Sequence, residues 1–113
     1  MQETRYSQLS MPRKILIRTC QRVNYGAILN VRVVNGEIEL NIQSEVLLDF
    51  QLNNDSIERR ELQLIDFVLP AESCRLMTQI DSLTDGLLEK ITVHDGIPRR
   101  VIVRRSIPRE AII

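Results

Sequence analysis

The sequence predicts a β-rich α+β domain: an antiparallel meander of about seven strands, forming a curved sheet or partly closed barrel, with one helix near residues 70–84. Three observations carry that reading. Apolar residues recur at period two over most of the chain from Arg13 to Leu69. Asn35-Gly36 and Asp95-Gly96 each sit between two alternating runs, and such dipeptides supply the positive φ angles of a type I′ hairpin turn. At Pro70 the period changes to that of a helix.

Taken in order, residues 1–10 are polar without apolar periodicity, so 1–12 is expected as a flexible N-terminal segment. Ile15, Ile17 and Thr19 alternate with Leu16, Arg18 and Cys20, which reads as a first strand, and Asn24-Tyr25-Gly26 as a turn. Ala27, Leu29, Val31 and Val33 then share one face opposite Asn30 and Arg32, and Glu37 to Ile42 form the return strand of a hairpin. Val46, Leu48, Phe50 and Leu52 continue at period two, with Phe50 and Phe67 expected in the core. After the polar cluster 53–56, Ile57 to Leu69 read as another extended stretch.

Pro70 suits the first turn of a helix, and Glu72 the positive end of its dipole. Leu76, Met77, Ile80 and Leu83 fall on one face, and Gly86 is a natural stop. Leu87 to Val93 and Arg100 to Arg105 make a second hairpin, with Pro98 just after the turn or at a strand edge. The expected organisation is a single β-rich domain over 13–107 and a C-terminal tail over 108–113, without internal repeats or low-complexity linkers.

Charge is sorted by position. Residues 1–34 hold six bases and one acid, residues 35–96 thirteen acids and four bases, and residues 97–113 five arginines and one acid. Arginine outnumbers lysine thirteen to two, and its planar fork pairs bidentately with carboxylate or phosphate. On a strand, Arg100 and Arg104 share one face with Ile102 between them.

The chemistry of catalysis is weakly represented. One histidine, His94, and two distant cysteines, Cys20 and Cys74, give no ligand set at zinc spacing, so no metal and no cofactor are expected. Ser73-Cys74 stands where a nucleophile elbow would sit but lacks its flanking glycines. No glycine-rich phosphate loop occurs, and no catalytic residue is assigned. No apolar run approaches the roughly 20 residues of a membrane helix, and the N-terminus lacks a secretory pattern. A cytoplasmic protein without membrane association is therefore expected.

The expected function is that of a small, soluble, non-enzymatic protein–protein interaction or accessory domain, oligomerising through charged strand edges or binding another protein. Arg100, Arg104 and Arg105 are the expected partner-binding residues, with Arg18 and Arg32 as neighbours. Nucleic-acid binding by the arginine-rich terminal strands is the alternative. It is disfavoured by zero net charge and by four aromatic residues without tryptophan. A small-molecule-binding or enzymatic barrel with buried arginine is the third reading.

Overall fold

A computed structural model describes residues 4–53 and 59–107. Two helices, α1 (Met11–Val23) and α2 (Ala71–Leu83), cover one face of an antiparallel sheet of five strands: β1 (Gly26–Val34), β2 (Glu37–Glu39), β3 (Glu45–Leu48), β4 (Gly86–His94) and β5 (Ile97–Arg104). The order across the sheet is β2-β1-β4-β5. Strand β3 pairs with the first half of β1, beyond the end of β2, so the two short strands together make one edge. The expected α+β class and both hairpins are present, and the helix expected near 70–84 is α2.

Three expectations are corrected. Residues 11–23 are a helix, not a strand. The run Ile15-Leu16-Ile17 satisfies either period, but Leu16, Ile17, Cys20 and Val23 form one buried stripe at helical spacing and Pro12 lies in the first turn. Among the described residues the sheet has five strands, not seven, and does not close into a barrel. Between Arg59 and Leu69 the chain forms only a 3-10 turn (Arg60–Gln63) and one isolated bridge from Val68 to Arg5. Two helices already bury the apolar face, so closure is not required. Residues 54–56 of the expected polar turn and the whole tail 108–113 lie outside the described residues.

The third correction is an internal repeat. Each boundary of α2 and β4 lies 60 residues after its counterpart in α1 and β1, and β5 begins 60 residues after β2. The chain is thus two α-β-β units joined by the antiparallel β1–β4 pair. The register, running from Gly26↔Val93 to Val33↔Gly86, is itself symmetric under this offset. The helices end alike, at Asn24 (φ 62) and Thr84 (φ 60). Each end braces the other unit: Gly96 N–H donates to Asn24 O at 2.9 Å, and Gly36 N–H to Thr84 O at 2.7 Å. A β-branched residue at positive φ is costly, and this backbone brace helps to hold Thr84 in that conformation.

The core lies between helices and sheet. Leu16, Cys20, Leu76, Ile80, Val31, Val33, Leu88 and Ile91 are its centre, buried together. Ile28 and Val31, three apart, both point into it, because Asn30 at φ 58 interrupts the alternation; Leu88 and Ile91 do the same in β4. Consequently Leu29 does not share the face of Val31 as expected; with Ala27 it belongs to the sheet face that carries no helix.

Candidate interaction surfaces

Strand β5 forms one edge of the sheet. Its register against β4 sets Val101 opposite Ile91 and Val103 opposite Leu88, on the helix side. Arg100, Ile102 and Arg104 lie opposite Thr92, Lys90 and Leu87, on the open face. The three are exposed, as expected from the alternation. Arg99 occupies an irregularity in the ladder and turns to the helices, where it donates to Glu72 of α2 at 2.5 Å. Arg104 holds Glu89 through Nε (3.1 Å) and Nη2 (2.5 Å).

Arg32 projects from the same open face of β1, between Glu39 of β2 and Leu87 of β4. Together Arg32, Arg104 and Arg105 line an open cavity of about 610 Å³ at one end of the sheet, with Asn30, Asn41 and Gln43 contributing amides. The fold therefore gathers three of the five sequence-assigned arginines, although they come from positions more than seventy residues apart. Arg100 stands on the same face but does not line this cavity. The surface is not purely basic, since Asp85 is also part of the lining.

Arg18 lies elsewhere, on α1. Its guanidinium donates to the carbonyls of Glu61 (2.6 Å) and Leu64 and to Gln21 Oε1 (3.0 Å). It also stacks 4.4 Å from the Tyr6 ring, which itself lies on Phe67. Arg18 thus pins the segment linking the two units, as does Arg5 through Asp66 at 2.8 Å. Arg59 makes a related clamp, donating to Asp95 Oδ1 (2.7 Å), Asn24 Oδ1 (3.0 Å) and Glu61 Oε2 (2.8 Å).

Sequence periodicity missed the opposite edge. Strand β3 is open to solvent at Val46 (45%), Leu47 (50%) and Leu48 (50%), and Phe50 (62%) and Leu52 (97%) follow it. Phe50, expected in the core, is therefore exposed. The alternation from Val46 to Leu52 marks an extended segment correctly, but it cannot tell an edge from a central strand. Glu45 and Asp49 flank the apolar stretch, and the side of β3 away from β1 has no pairing strand among the described residues.

Near α2 a hollow of about 160 Å³ is lined by Cys20, Gln21, Phe67, Ser73 and Gly96 and rimmed by Arg59. Sixty residues earlier, the place of Ser73 is taken by Arg13, which donates to Gly36 O (2.9 Å), Asp81 (2.5 Å) and Glu37 (3.2 Å). Cys20 is buried, and burial pushes its thiol up to about 12, far from a nucleophile's range. Among the described residues no group of histidine, cysteine and acidic side chains is placed to hold a metal ion, and no helix is long and apolar enough to cross a membrane. No family model, no curated protein sequence and no solved structure matches this chain.

Proposed function

We propose that the protein is a non-enzymatic interaction domain that binds protein through the edges of its sheet. One observation carries this reading: β3 is an edge strand whose apolar residues Val46, Leu47 and Leu48 remain about half exposed. An open edge offers unpaired backbone donors and acceptors, and native proteins usually blunt such edges with lysine, proline or a covering element. Here the edge carries leucines instead, which suits strand addition by a partner. The exposed arginines Arg100, Arg104 and Arg105 at the β5 edge, and Arg32 on the open face of β1, supply orientation and association rate. Arg18 takes part indirectly, by holding the linking segment.

Photo-crosslinking tests this function. A photoreactive amino acid is placed at Leu47 and, as a control, at exposed Thr78 on α2, in cells that make the protein. Crosslinks to one identified protein, or to the chain itself, from position 47 and not from 78 are the expected result. Absence of any product from position 47 refutes edge binding.

The cavity of Arg32, Arg104 and Arg105 supports a second reading, in which the open face takes an anionic polymer such as nucleic acid. That reading requires binding that falls steeply between low and physiological salt and is lost in the Arg32→Ala/Arg105→Ala variant.

A further inference from the structure

Resting on the edge-binding reading above, we infer that the partner is a second copy of this chain, bound head to tail with the β3 edge of one copy against the β5 edge of the next. The two edges are complementary in sequence, charge and facing. Set antiparallel, Glu45-Val46-Leu47-Leu48-Asp49 meets Arg104-Val103-Ile102-Val101-Arg100. Each acid then faces an arginine, and each apolar residue faces an apolar residue.

Facing agrees as well. Leu47 pairs with Ala27 and Glu45 with Leu29, on the helix-free face. Arg100, Ile102 and Arg104 are on that same face of β5. Val46, opposite buried Ile28, points to the helix side, as do Val101 and Val103. Direction follows from the sheet. Strand β3 is antiparallel to β1, β1 to β4, and β4 to β5. A copy displaced along the sheet therefore presents β3 antiparallel to β5, with both helix layers on one side.

Self-pairing of like edges is disfavoured by charge. In a two-fold β3–β3 pair centred on Leu47, Glu45 would stand opposite Asp49, and a β5–β5 pair centred on Ile102 would set Arg100 opposite Arg104. Like charges directly opposite destabilise a strand pair, whereas opposite charges support it. Arg104 already holds Glu89, and its five donors leave room for a second carboxylate. A contact between unlike surfaces propagates as a ring or an open chain, not as a closed dimer. Five paired residues extend only about 17 Å, so the single contact is weak and the assembly depends on concentration.

Sedimentation velocity over a range of concentrations at low and high salt tests this inference, with two variants that block one edge each. Leu47→Lys places a cation against the arginines of β5, and Arg100→Glu/Arg104→Glu turns β5 against Glu45 and Asp49. All three positions are exposed, and thermal melts confirm that both variants fold. Wild-type mass is expected to rise past twice the 13.1 kDa protomer and to fall back in high salt. Each variant alone is expected to be monomeric, and their equimolar mixture to give a heterodimer, because only one complementary pair of edges remains. A dimer of Arg100→Glu/Arg104→Glu alone would mean that β3 pairs with itself, and overturns the inference. A wild-type monomer at every concentration and salt also overturns it, while crosslinks from position 47 to a different protein would leave edge binding standing.

Discussion

Attachment of β3 depends on the absence of a side chain at Gly26, and Gly26→Ala measures how much. Gly26 has φ +150 and lies opposite Leu48 in the β1–β3 ladder. A methyl group built there lies 1.9 Å from the Leu47 carbonyl oxygen and 3.2 Å from Val23 Cγ1. A carbon–oxygen contact needs about 3.3 Å, so the two strands must part by more than about 1 Å. Overpacking of this kind costs about 1–3 kcal/mol, and an unfavourable φ adds about 1–3 kcal/mol. The expected loss is about 3–5 kcal/mol from a total of roughly 5–15 kcal/mol. At about 4 °C per kcal/mol, Tm falls by about 12 °C or more. Gly36→Ala is the control, because Gly36 has φ +74 with no atom within 4 Å of the added methyl; only the φ term, about 1 kcal/mol, applies. Urea midpoints give the two losses, and amide exchange reads the protection of residues 45–48. Equal losses for the two variants, with β3 amides still protected in Gly26→Ala, would falsify this account of the edge.

Three shorter predictions concern the clamps and the core. Arg5, aided by the Ser7 N–H, holds the Asp66 carboxyl down at about 2; in Arg5→Gln an NMR titration should find it moved up toward the ordinary aspartate value. Because the folded value is the lower one, this contact stabilises the fold above about pH 4 and is lost as pH falls toward 2, so Arg5→Gln should lose less stability over that window than wild type. Arg59→Ala removes charge-assisted bonds to Asp95, Asn24 and Glu61 and should cost about 1.5–3 kcal/mol, with faster amide exchange at the β4–β5 turn; unchanged exchange there would contradict the clamp. Cys20 should resist iodoacetamide at pH 8 until the chain unfolds, while half-buried Cys74 reacts first; labelling of Cys20 at the rate of a free thiol would show that α1 does not seal the core.

Local chemistry made both hairpins legible, since Asn35-Gly36 and Asp95-Gly96 encode their turns without help from distant residues. Helix α2 was legible for a similar reason: Pro70 and Gly86 punctuate it and its stripe is unambiguous. Helix α1 was hidden because Ile15-Leu16-Ile17 is apolar on both faces and two of its three residues are β-branched, and only packing against the sheet selects the helical period. The repeat was hidden because the units share little beyond Leu16 with Leu76, Gly26 with Gly86, Val33 with Val93, Gly36 with Gly96 and Ile42 with Ile102. Packing requires only that the other core positions stay apolar. Among the arginines, alternation placed Arg100 and Arg104 correctly on one open face. It had no means of bringing Arg32 beside Arg104, which depends on β1 pairing with β4, nor of showing that Arg18 sits on a helix. Edge status is likewise a property of the whole sheet, so the exposure of Val46, Leu47 and Phe50 could not be read from their spacing.

The hollow beside Ser73 has a meaning that only the repeat reveals. In the first unit Arg13 stands at the corresponding position, ties the turn at Gly36 and reaches across to Asp81. In the second unit a serine leaves about 160 Å³ open, room for several water molecules at about 30 Å³ each, and Arg59 reaches the turn from outside the unit instead. The two halves have therefore solved the same local problem with a brace carried inside the unit in one case and borrowed from the connecting segment in the other. That exchange leaves the second half with spare volume and makes its turn depend on how the connecting segment is held, so a disturbance of that segment would loosen the β4–β5 turn while leaving the first turn intact.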